Sequence, residues 1–201
     1  MSARIGFYCL KHLQPIRESI GSGDDRLLAD ILERHRLQLK EFYDGEEPSN
    51  DELADFKECA ESMINCDQAP DLEPGAWNYV IAPLASHFEL QPVQLPLDDW
   101  KHSYVLEEYR RLLNPELSQE SQALLTLLEN GRPLLGSGID ADGCSFAWLN
   151  PEETAALHES LSAIKPNEEM EELELDEFHD ELLECLQMTL ENGGFLFMAA
   201  H

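Results

Sequence analysis

The chain has 201 residues, 41 of them Asp or Glu against 13 Lys or Arg, and its net charge of −28 disfavours nucleic acid and anionic bilayers, so any charged partner is expected to be basic. An apolar content of 43% suffices for the core of one compact domain, and no run approaches the ~20 apolar residues of a membrane span. Five scattered cysteines, Cys9, Cys59, Cys66, Cys144 and Cys185, have no Cys-x-x-Cys spacing, which argues against a disulfide framework or thiolate zinc site and for a reducing, cytoplasmic setting. The charge is uneven: residues 1–40 carry seven Lys or Arg and five acids, which leaves −30 for the remainder.

Residues 3–10, ARIGFYCL, have the length and apolar, aromatic character of a first strand, and a polar, proline-containing break follows. Gly21-Ser22-Gly23 then precedes Asp24 and an apolar series, Leu27, Leu28, Ile31, Leu32, His35, Leu39 and Phe42, at steps of three and four residues, which predicts a helix. The glycine trio lacks the Gly-Lys-Ser/Thr ending of a phosphate loop and the third glycine of a dinucleotide turn, and two aspartates follow it directly. It is read as a turn whose Ser22 or Asp24 caps the helix.

Ser49-Asn50-Asp51 opens a second helix in 48–66 with Leu53, Phe56, Cys59 or Ala60, and Met63 on one face. Residues 75–90, apolar nearly all round, predict a central buried helix interrupted or bent at Pro83. QPVQLPLDDW, 91–100, with Pro92 and Pro96, is expected to be an irregular surface connection, and 91–99 a loose joint if the domain has two lobes.

Two further helices are expected, over DDWKHSYVLEEYRRLL and over SQESQALLTLLENG with Ser118 as cap and Gly131 as stop. The second glycine trio, Gly136-Ser137-Gly138, reads as a loop leading into a strand at 144–149, CSFAWL. Asn150 and Pro151 mark a helix start, a last helix runs from about Glu171 to Glu191 over Leu175, Phe178, Leu182, Cys185, Leu186 and Leu190, and glycines lead to a short terminal strand. The expected fold class is therefore α+β: one helix-rich domain over residues 1–201 with a small sheet that includes N-terminal and C-terminal strands.

The segment 167–184, NEEMEELELDEFHDELLE, holds ten acids and no Lys or Arg. Its carboxylates Glu168, Glu169, Glu171, Glu172, Glu174, Glu177, Asp180, Glu181 and Glu184 form a candidate docking face for a basic protein, to be weighed against a face that is merely solvated. Asp176 and His179, three apart, are the one pair considered for a metal, yet a second Glu-x-x-His copy is missing, so no metal and no cofactor is expected. Histidines 12, 35, 87, 102, 158, 179 and 201 show no ligand spacing, Ser137 lacks the surroundings of a nucleophile elbow, and no catalytic residue is assigned.

The stretch NGRPLLGSGIDADGCSFAWLNPEETAALHESLSAI, the acidic helix after it, ENGGFLFMAAH, and the opening FYCL and IGSGDDRLLADI resemble the layout of the YfbM-like family of bacterial proteins. That resemblance covers the last third of the chain and its first thirty residues, with the helix start written here as Leu149-Asn150-Pro151-Glu152-Glu153. It implies an α+β fold and a cytoplasmic bacterial protein, and it supplies no catalytic residue. The leading functional expectation is a non-enzymatic, acidic protein-interaction domain, of an immunity type that covers a basic toxin or of a nucleic-acid-mimic type. The alternative is a small hydrolase or metal-dependent enzyme whose histidines and carboxylates converge from distant segments.

Overall fold

Apolar residues alternate along the first strand, and the alternation sorts them onto two sides of a sheet. A computed structural model of the chain describes residues 4–65, 74–90, 92–132 and 144–200. In chain order its elements are β1 (Arg4–Leu10), α1 (Gln14–Ser19), α2 (Asp25–Phe42), α3 (Asn50–Ile64), α4 (Pro74–His87), β2 (Val93–Lys101), α5 (His102–Leu113), α6 (Gln119–Asn130), β3 (Ser145–Leu149), α7 (Pro151–Ser162), α8 (Glu168–Glu172), α9 (Leu175–Asn192) and β4 (Phe195–Ala200). The four strands among the described residues form one antiparallel sheet in the order β2-β1-β4-β3, with β1 and β4 at its centre, and the fold is α+β.

Helices cover both faces. Ile5, Phe7 and Cys9 of β1 join Leu196 and Met198 of β4 in a core closed by α5, α6, α7 and α9. Leu10, Phe197, Phe146 and Trp148 project to the other side, into a second core closed by α1 to α4. Two-sided cover explains why SFAWL and FLFMAA read as nearly unbroken apolar runs, since every second side chain still meets a helix. Each such buried Leu, Ile or Phe contributes roughly 1.5–3 kcal/mol.

β2 corrects the irregular connection expected at 91–100: from Val93 onward this stretch is an edge strand paired with β1. Leu95 and Leu97 are buried while Gln94 and Pro96 are exposed, so the alternation that defines the strand was present beneath the prolines. Pro96, which has no N–H to give, is tolerated at an edge, and the pairing shifts register around Gly6.

The capping signals are realised. Asp24 accepts hydrogen bonds from the N–H groups of Arg26 and Leu27, and Ser49 with Glu52 and Asn150 with Glu153 form reciprocal capping boxes. Four other expectations need correction. The break after β1 contains the short helix α1. The apolar face of α2 is buried only at Leu27, Leu28 and Ile31, and Phe42 is 78% exposed because the helix outruns its partners. The acidic helix begins as a separate turn, α8, and Glu174, at φ 58°, divides it from α9. Helix α4 runs on through Pro83, with Val80, Ile81, Leu84 and Ala85 buried and Tyr79 and Ala82 exposed, so it is not surrounded.

Candidate functional site

Helix α9 is built on two stripes. Leu175, Phe178, Leu182, Cys185 and Leu186 recur at three- and four-residue steps and are buried, which anchors the helix against the sheet. The same period places Glu177, Asp180 and Glu184 on the opposite, exposed stripe, a row about 10 Å long at 1.5 Å per residue. Glu168, Glu169, Glu171 and Glu172 of α8 and the connecting Glu174 are exposed as well.

Two of the nine docking carboxylates are engaged by the protein itself. Trp100 donates its indole N–H to Glu181 at 2.7 Å, and Glu181 is half-buried. Arg111 reaches Glu169 at 3.3 Å while also bonding Glu108. The other seven, Glu168, Glu171, Glu172, Glu174, Glu177, Asp180 and Glu184, pair with no Lys, Arg or His among the described residues. The α2–α3 end of the molecule differs, because there Arg34, Arg36, Lys40 and Lys57 each hold a carboxylate.

His179 points inward. It is 1% exposed, and the Tyr109 hydroxyl lies 2.6 Å from its Nδ1. Burial holds its imidazole below the ordinary histidine value, opposed in part by Asp180, and drives the Tyr109 hydroxyl upward. The neutral ring is a core element cross-linking α5 and α9. Asp176 is half-buried, and among the described residues no group of three or more His, Cys, Asp or Glu is placed to hold a metal ion.

The remaining candidate groups lie apart. His12 is exposed, His35 stacks on Phe56 with ring centres 3.8 Å apart, and His158 is half-buried on α7. Imidazole Nδ1 of His87 sits 2.6 Å from Asp30 Oδ2, which also accepts from Arg34 at 2.5 Å, so α2 and α4 are pinned by a triad 57 residues apart in sequence. No local motif could have announced that pairing. Burial raises the thiols of Cys9 and Cys185, the latter to about 12, which leaves both as weak nucleophiles. The second glycine trio and Ser137, Cys66, His201 and the side chains of Trp77 and His102 lie outside the described residues.

The first glycine trio is a turn. Gly21 and Gly23 take φ 65° and 61°, and their N–H groups donate to the Met63 and Ile64 carbonyls at 3.0 and 2.9 Å. The amides a phosphate would require there are committed to the end of α3, and Asp24 occupies the start of α2. Comparison of the chain with models of known protein families, with curated proteins and with solved structures finds no match.

Proposed function

We propose that this chain is a non-enzymatic protein-interaction domain that presents the face of α8 and α9 to a basic protein. The observation that carries the reading is the acidic row of α8 and α9, whose seven exposed carboxylates form no ion pair with Lys, Arg or His among the described residues, Arg111 reaching only the neighbouring Glu169. Like charges at helical spacings of three and four destabilise a helix by roughly 0.2–0.5 kcal/mol per pair, so the row is maintained against its own repulsion. A complementary cationic surface removes that repulsion and gains fast, salt-sensitive association. A partner of this kind is the target of immunity-type and nucleic-acid-mimic proteins. We further infer kinship with the YfbM-like bacterial proteins and a cytoplasmic setting; the helix start at Pro151 and the glycine exit from α9 into β4 support the former, the scattered cysteines without a Cys-x-x-Cys spacing the latter.

The test is a three-way capture from lysate of the source organism. Wild type is compared with a variant in which Glu171, Glu172, Glu174, Glu177, Asp180 and Glu184 become Gln or Asn. The control neutralises six exposed acids of α2 and α3 and their connection: Glu41, Asp44, Glu46, Asp51, Asp55 and Glu58. A basic protein retained by wild type and by the control, released by salt and lost from the α8–α9 variant, is the expected result. Equal retention by all three would contradict the assignment of the face.

A further inference from the structure

On the side of the sheet away from α9, helix α4 packs against the edge strand β3, and a cavity of about 310 Å³ lies between α4 and the strands β1, β2 and β4. We propose that this cavity binds an uncharged, planar aromatic small molecule bearing an amide-like polar group. The floor is sheet: Gly6 and Tyr8 of β1, Gln94 of β2 and Ala199 of β4. Ile81 and Ala82 of α4 form the wall, and Pro92 closes one end.

Four observations converge on that ligand class. The floor is open because Gly6 has no side chain; a Cβ built there meets nothing within 4 Å, and its alternation with Ile5 and Phe7 aims it at the cavity. The β1–β2 pairing is irregular on both sides of Gly6, a distortion that sheets concentrate beside binding sites. The Tyr8 ring lies nearly parallel to Phe197, with centres 5.4 Å apart and 9° between planes, and extends an aromatic surface to the cavity. Among the described residues its hydroxyl has no hydrogen-bond partner, and neither has the side-chain amide of Gln94, which faces Tyr8 across the β1–β2 pair.

The Tyr8 hydroxyl is an O–H donor at neutral pH, as an ordinary phenol is and as burial reinforces, while the Gln94 amide can both donate and accept. None of the described lining residues is charged, although the protein carries −28, so an anion is repelled and a cation finds no counter-charge at the floor. The volume lies at the small end of ligand cavities. A wider, more polar recess lined by Gln38, Ser86 and Glu89 adjoins it and shares Ala82 and Pro92 with it.

The probe is 2-naphthamide, titrated by calorimetry into the full chain. Wild type is expected to bind it saturably with Kd below about 1 mM. Gly6→Leu, which fills the floor, should weaken binding at least tenfold, and Tyr8→Phe roughly three- to tenfold through loss of one neutral hydrogen bond. Thermal melts establish that each variant is folded; Ala82→Leu narrows the cavity from the exposed helix wall and replaces Gly6→Leu if the strand variant is unstable. The α8–α9 neutralised variant should bind the probe as wild type does, which separates this site from the acidic face. Absence of saturable binding by wild type, or undiminished binding by the filled variant, overturns the proposal.

Discussion

Gly194, between the end of α9 and β4, is expected to reject even one methyl group. A Cβ at this position would lie 2.5 Å from Cys9 Sγ and 2.7 Å from the Leu10 carbonyl oxygen, well inside ordinary contact distance. The thiol can give way, because it is the end of a short side chain, although at 1% exposure it has little room. The carbonyl belongs to β1, paired through Leu10 with Phe195 of β4, and moves only with the sheet. Overpacking of this kind costs about 1–3 kcal/mol, and for a chain of this size each kcal/mol lowers the melting temperature by about 2–4 °C. Urea unfolding of Gly194→Ala should show a lower midpoint at unchanged slope. Adding Cys9→Ala should relieve the sulfur contact and recover part of the loss, leaving the carbonyl contact. Gly6→Ala, where the new atom meets nothing, is the control and should cost nothing. Gly194→Ala with wild-type stability would refute the steric reasoning.

Further expectations concern the buried pair, the caps and the charge. Tyr109→Phe leaves the His179 Nδ1 in the core without its partner and should cost about 1–3 kcal/mol, read by urea unfolding. His179 and His35 are both held below the ordinary histidine value by burial. The unfolded chain therefore takes up protons first as pH falls below about 6.5, and this contribution to stability declines from there toward the folded-state values. An NMR titration placing His179 at or above the ordinary value would contradict its burial. Asn150→Ala removes the cap of α7 and should cost about 1 kcal/mol in thermal or urea unfolding. Arg132 lies 4.0 Å over the Trp148 ring and bonds both Glu153 oxygens at 2.8 and 2.7 Å, so Arg132→Ala should lower stability by about 1–2 kcal/mol and shift Trp148 fluorescence.

Local chemistry made most of the helices legible before the structure. Ser49, Ser118 and Asn150 each sit where a side-chain oxygen satisfies first-turn amides, and Gly193 adopts the left-handed φ of 61° that ends α9. The acidic face of α8 and α9 was equally plain, because ten acids without a base leave little ambiguity about which side meets water. β2 was hidden because Pro96 within it and Pro92 just before it outweighed the alternation of Leu95 and Leu97 with Gln94 and Pro96. Only its edge position, a property of strand order, makes Pro96 acceptable. His179 stands among acids in sequence yet turns inward to Tyr109, 70 residues away. The Asp30–His87 contact and the cavity over Gly6 likewise depend on how α4 lies against α2 and the sheet, which no spacing within one segment encodes.

Carboxyl footprinting tests the central claim most directly. The protein is labelled with a carbodiimide and an amine, free and after capture of its salt-released partner, and modification is read residue by residue. The account predicts that Glu171, Glu172, Glu174, Glu177, Asp180 and Glu184 are protected in the complex while Asp44, Glu46 and Asp55 label as before. Unchanged labelling along α8 and α9, with protection elsewhere or nowhere, would contradict it.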